Sequence, residues 1–183
     1  MKKKTLLIAL LLSVMLVNAQ KYITKNGHIQ FYSETPIETI EANNRQVNSA
    51  LDISTGDFVF KVLMKSFEFE KALMQEHFNE NYVESDKFPN ASFKGKIINL
   101  GDINFTSPGE YEAQVQGVMT IHGVAVEISE AGIFIVGKGQ VKGSSKFIIK
   151  PEDYDIKIPN TVVNNIAEEI EVTVEVILEE YKK

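Results

Sequence analysis

The chain has 183 residues, 44% of them hydrophobic and 24% charged, with no Cys and no Trp. This is a globular composition sized for one domain with a sizeable core. The lack of Cys excludes a disulfide framework, a thiolate zinc site, a thiol nucleophile and a lipid-modified Cys anchor. With 19 Lys and Arg against 25 Asp and Glu, the formal charge is −6, the wrong sign for a surface that binds nucleic acid.

Lys2, Lys3 and Lys4 precede an apolar run of 13 residues, Thr5 to Val17, and then Val17-Asn18-Ala19, a small-residue cleavage pattern. The run fits a signal-peptide core and falls short of the ~20 residues that span a bilayer. Residues 1–19 are therefore expected to be a signal peptide, and residues 20–183 the exported domain. Removing three Lys and no acid leaves 16 basic against 25 acidic residues, a charge of −9. No second apolar span follows, so no stable membrane span is expected. The lysine-only start and short core point to a bacterial periplasm, with secretion as the alternative.

In chain order, Ile29-Gln30-Phe31 opens a first strand. Residues Thr35 to Asn48 are polar (Glu38, Glu41, Asn43, Asn44, Arg45) and read as loop or irregular strand. Ser54-Thr55-Gly56-Asp57 is a turn signal, after which Phe58, Phe60 and Val62 alternate. The phase slips by one at Lys65-Ser66 before Phe67 and Phe69, which suggests a β-bulge. Phe69 to Ser85 carries Leu73, Met74, His77, Phe78 and Tyr82 on one helical face, and Phe88-Pro89 closes it. Alternation resumes in Phe93 to Ile97, and after Ser107-Pro108-Gly109 in Tyr111 to Ile121. His122-Gly123 makes a hairpin turn into Val124 to Ile128. Gly137, Gly139 and Gly143 surround the start of Val141 to Ile149 and imply sharp curvature or close backbone approach. Ile170, Val172, Val174, Val176 and Leu178 alternate with Glu171, Thr173, Glu175 and Ile177 in the last strand.

About eight short strands, mostly in hairpins, suit an up-and-down barrel or a sandwich. Closure is favoured, because a Val-rich last strand left unpaired would be an aggregation site. The predicted class is all-β: a lipocalin-like antiparallel barrel of about eight strands with one short helix near residues 70–85.

Catalytic chemistry finds little support. His77 and Glu80 lie three apart on a helix, but a catalytic zinc needs three protein ligands, and neither HExxH nor HxxEH occurs. His77 is expected to pack on the barrel or cap a carbonyl. His122 is expected to fix its hairpin by a hydrogen bond, and His28 to face solvent. The acids from Glu168 to Glu180 read as a solvated strand face. There is no G-x-S-x-G elbow and no phosphate-binding glycine loop. No enzyme, cofactor or metal is expected. All 11 Phe lie beyond residue 19, enough either to fill a solid core or to line a cavity, since an eight-stranded interior admits both.

The block Leu73 to Phe93, with its His77-Phe78 pair and Lys87-Phe88-Pro89-Asn90-Ala91-Ser92-Phe93 run, resembles the YceI-like family. Gly117-Val118-Met119-Thr120-Ile121-His122-Gly123-Val124 is similar to the family's G-x-L-T-I-H-G-V hairpin. A weaker match covers Lys146 to Ile158, where Asp155 replaces a common glycine. Together the matches span Tyr22 to Tyr181. Glu70-Lys71-Ala72 stands in place of the family's Arg-Asp, so no arginine role carries over. The resemblance implies an exported barrel holding a polyisoprenoid, an isoprenoid quinone, a polyprenyl phosphate or a fatty amide. No individual ligand contact is implied by it.

Alternation assigns Phe31, Phe58, Phe60, Phe67, Phe69, Phe93, Met119, Ile121, Val172, Val174 and Val176 to the interior, where such a chain would touch them. Phe78 and Tyr82 are candidates for a helical flap over the mouth. One register slip would turn a whole strand around. The partner expected is a lipid-like ligand, with a homodimer left open. The alternative is a ligand-free structural or stress-related envelope module with a solid core.

Overall fold

The computed structural model describes residues 20–182, so the segment read as a signal peptide lies outside the described residues. The strands are β1 (Lys21–Glu34), β2 (Thr39–Asp52), β3 (Asp57–Leu63), β4 (Glu68–Phe69), β5 (Asn90–Ile97), β6 (Gly109–Ile121), β7 (Val124–Gly137), β8 (Gln140–Ile149) and β9 (Ile170–Glu180). Helix α1 (Ala72–His77) runs into a π-helical turn, Phe78–Tyr82. Eight strands pair in the order β1-β9-β8-β7-β6-β5-β3-β2, and β2 returns to β1, closing the ring. Every pairing is antiparallel. The ring is an all-β closed barrel with one short helix, as alternation and the edge argument predict.

Period-two burial fills the interior. On β9, Ile170, Val172, Val176 and Leu178 are buried, while Glu175 and Glu179 face out. The turn His122-Gly123 has φ of 52° and 79° at its two residues, the left-handed pair that a two-residue hairpin matched to strand twist requires.

The structure resolves three expectations. First, of loop or irregular strand for Thr35 to Asn48 it takes the strand: most of the segment forms β2, whose interior face is Ala42, Asn44, Val47, Ser49 and Leu51, all buried. Small and polar side chains hide the alternation, and a bulge opposite Gly27 breaks its phase. Asn44 Nδ2 donates to the Leu63 carbonyl at 2.9 Å, and Ser49 Oγ to the Val59 carbonyl at 2.9 Å, so the buried polar groups are satisfied on β3. Second, the phase slip at Lys65-Ser66 is a 3₁₀ turn, Met64–Ser66, rather than a bulge. The Met64 N–H donates to the Pro89 carbonyl at 3.0 Å, the chain leaves β3, and β4 rejoins β2 at Ala42 and Asn43. Third, His28 lies on the outer, solvent-facing side but is only partly exposed, because its ring is held between Glu175 (3.2 Å) and Asn43 (2.7 Å).

His122 bonds more widely than its own hairpin. Its Nδ1 meets the Tyr154 carbonyl at 3.0 Å and its Nε2 the Glu84 Oε2 at 2.8 Å. Both partners are acceptors, so each contact calls for an N–H on the ring nitrogen that faces it. The ring also packs against Phe88, with centroids 4.6 Å apart. One side chain thus joins the β6–β7 turn, the segment after the helix and the turn at Pro151–Tyr154. The His122 hydrogen bond holds the Glu84 carboxyl below its usual range; a lesser desolvation cost opposes this and the Lys87 charge assists it.

Gly95 and Gly117 face each other across β5 and β6. A Cβ on Gly117 would lie 2.4 Å from the Gly95 Cα and 2.4 Å from the Lys94 carbonyl oxygen, and the rigid backbone cannot yield. Gly117→Ala is expected to cost about 1–3 kcal/mol as overpacking, read as a lower midpoint in urea unfolding. Glu84→Gln tests the His122 tie. Because the folded carboxyl sits below its unfolded value, its stabilisation is present at neutral pH and disappears as pH falls through the folded value. The stability gap between native protein and Glu84→Gln should therefore be widest near pH 7 and close in acid, measured by unfolding at stepped pH.

Candidate functional site

The interior packs differently at its two ends. At one end Tyr22, Leu51, Phe58, Ile97, Phe134, Val141 and Leu178 interlock in a solid floor. Phe58 packs edge-on against Phe60 at 4.7 Å and against Phe134 at 5.8 Å. At the other end the helix closes over the barrel. Phe78 reaches Phe31, Phe67 and Phe69 with ring centroids 5.4, 5.6 and 5.1 Å away. A helix of six residues has no stability of its own, so this aromatic cluster is what seats it.

Residues from both ends wall an internal cavity of about 360 Å³, within the ~300–1,000 Å³ range of small-molecule sites. All thirteen residues assigned to the interior or flap stand in its wall: Phe31, Phe58, Phe60, Phe67, Phe69, Phe78, Tyr82, Phe93, Met119, Ile121, Val172, Val174 and Val176. Met74, Phe134 and Phe147 also line it and were missed. Strand parity could have found the last two, since Phe134 shares its phase with Val126 and Ile128, and Phe147 with Val141.

A further missed set comes from a segment outside the strands. The β7–β8 ladder extends only from Gly137↔Gln140 to Gly132↔Ser145, and the Ser145 hydroxyl ends it by donating to the Ala131 carbonyl at 2.6 Å. Beyond that point β7 continues on β6 and β8 on β9. The wall between them is completed by Tyr154, Ile156 and Ile158, which point inward while Asp155, Lys157 and Pro159 face out. Their period of two is visible in the sequence, but no ladder partner marks it as strand. Val162, Asn165 and Ile166 extend this cover.

Polar groups are few in the wall. Glu38 accepts from Lys71 Nζ at 3.0 Å and from Asn165 Nδ2 at 3.2 Å, linking the residue before α1 to the long β8–β9 connection. The Asn165 bond first, then Lys71, holds its carboxyl below the usual range. Nearby, the Ser33 hydroxyl accepts the Ala167 N–H at 2.9 Å. Glu130 stands on the inward phase of β7, and burial pushes its carboxyl up. Burial also raises the hydroxyls of Tyr82 and Tyr154.

His77 reaches the cavity from the exposed end of α1. Among the described residues, no three His, Asp or Glu gather around a point that could hold a metal ion. Among them too, no helix is long and apolar enough to cross a membrane. The arrangement can enclose an apolar chain and meet a polar end at one or two points.

No curated protein sequence matches the chain. Three solved structures share its fold at low identity. The first is a polyisoprenoid binding domain from Saccharophagus degradans implicated in plant cell wall breakdown, with TM-score 0.76, 12% identity, and 89% of this chain and 99% of that one covered. The second is BcnA of Burkholderia cenocepacia (TM-score 0.65, 12% identity, 83% and 95% covered). The third is a YceI protein of Campylobacter jejuni (TM-score 0.59, 16% identity, 78% and 85% covered). The family model described as the YceI-like domain matches residues 21–178, which takes in every strand of the ring, and the chain therefore belongs to the YceI-like family.

Proposed function

We propose that the chain is an exported binding protein that holds a long apolar molecule (a polyisoprenoid, an isoprenoid quinone or a fatty amide) inside the barrel, for storage or carriage through an aqueous compartment. The observation that carries this reading is the cavity of about 360 Å³ with its nearly continuous apolar wall. The polyisoprenoid-binding description of the Saccharophagus degradans domain supports the ligand class. Burying ten to fifteen CH₂ groups gains roughly 8–12 kcal/mol at about 0.8 each, and association takes back several kcal/mol. Micromolar to nanomolar binding is reachable on apolar contact alone. The thirteen interior and flap residues are the proposed contacts. Export rests on the Lys2-to-Ala19 pattern; cleavage after Ala19 would leave β1, which begins at Lys21, whole.

Access runs through the helix and the β8–β9 connection. Phe78 anchors the first, and Glu38 clasps both through Lys71 and Asn165. Opening needs those contacts to part, while the floor residues stay packed.

Organic extraction of the protein purified from its native host, followed by mass spectrometry, should yield a prenyl or acyl species in stoichiometric amount. A blank, joined to failure to take up added quinones and fatty amides, would favour a ligand-free envelope module instead. Val174→Asp should abolish uptake. Because a buried charge can also unfold the barrel, Val174→Trp, which adds bulk without charge, should lower uptake with circular dichroism unchanged. Glu38→Ala should speed both entry and release of a fluorescent fatty amide by about tenfold, with a smaller change in Kd. Stopped-flow kinetics check this.

A further inference from the structure

The cavity wall carries its charges unevenly. Among the described residues no Lys or Arg belongs to it, and its carboxylates are Glu38 and Glu130. Glu38 already has Lys71 and Asn165 as partners. Glu130 stands in the wall without a hydrogen-bond or ion-pair partner among the described residues, and burial raises its carboxyl. It projects from β7 opposite Val115 of β6, on the same face as Ile128 and Gly132.

This is also the stretch where β7 and β8 have parted and Tyr154 completes the wall. The Tyr154 ring is 2% exposed. The turn that carries it packs against β7, so the phenol and the Glu130 carboxylate stand in the same stretch of the cavity wall; burial first, then the charges of Asp153 and Glu130, raises the hydroxyl.

A half-buried acceptor without a donor costs free energy that an arriving donor recovers. An arriving anion would instead meet a like charge, with no cation in the wall to offset it, and such a juxtaposition costs several kcal/mol. Resting on the carrier reading above, we propose that Glu130 and Tyr154 form a head-group site that takes a long-chain ligand ending in a neutral hydrogen-bond donor (an alcohol, a phenol or a primary amide) and rejects one ending in phosphate or carboxylate. Glu130 accepts a hydrogen bond from the ligand's O–H or N–H, and the Tyr154 hydroxyl donates a second one to the oxygen of the same head group.

The test holds the chain constant and varies the end. The purified full-length protein, stripped of lipid, is titrated with geranylgeraniol, geranylgeranyl phosphate and the matching hydrocarbon by displacement of a fluorescent fatty probe. The alcohol should bind about tenfold or more tighter than the phosphate. Glu130→Leu should bring the alcohol down to the level of the hydrocarbon, and Glu130→Lys should turn the preference toward the phosphate. Hydrocarbon uptake at the native level certifies that each variant is folded. Phosphate binding as tight as the alcohol in the native protein, or an unchanged preference in Glu130→Leu, overturns the head-group site alone. Failure of all three ligands to bind overturns the carrier reading, and the head-group site with it.

Discussion

Closure of the sheet by β1 is the constraint on which the rest of the structure depends. This strand pairs with β2 along one edge and β9 along the other, which closes the ring. A closed ring satisfies its backbone donors and acceptors in its own ladders, and only then can the inward side be almost wholly apolar. To reach both neighbours β1 must bend, and its register shifts on each side of Gly27 against β2. Gly27 is needed there because a Cβ would lie 2.9 Å from Val176 Cγ1.

From that closure follows an unequal division of the interior. The floor is filled by interlocked aromatic and aliphatic side chains. The other end is covered by a short helix and a long connection rather than by packed strands.

Much of this was legible in advance where burial demands large residues. The strands bearing Phe58, Phe60, Met119, Ile121, Val172 and Val174 show their inward face through bulk alone. The strand β2 does not, because Ala42, Asn44 and Ser49 lie where neighbouring side chains leave little room, and their polar atoms are satisfied by carbonyls of β3. The Lys65-Ser66 slip signalled an interruption of the strand but not its form, since a 3₁₀ turn and a bulge shift the alternation alike. Asp155 is informative in a different way. It occupies a left-handed conformation with φ of 55°, a backbone region that favours glycine, and Asp is among the residues that tolerate it.

The sequence by itself determined the class of fold, the inward face of most strands, the family and an apolar interior, because alternation and bulk are local properties written one residue after another. Only the tertiary structure decided how the two ends of the interior pack around a cavity that both of them wall. It alone brought Glu84, His122 and Tyr154 to one point, clasped Lys71 and Asn165 to Glu38, and set Glu130 in the same stretch of wall as Tyr154. Those relations join residues tens of positions apart. They depend on where β7 and β8 separate and on how β1 bends to close the ring, and no local pattern encodes a distance between two strands.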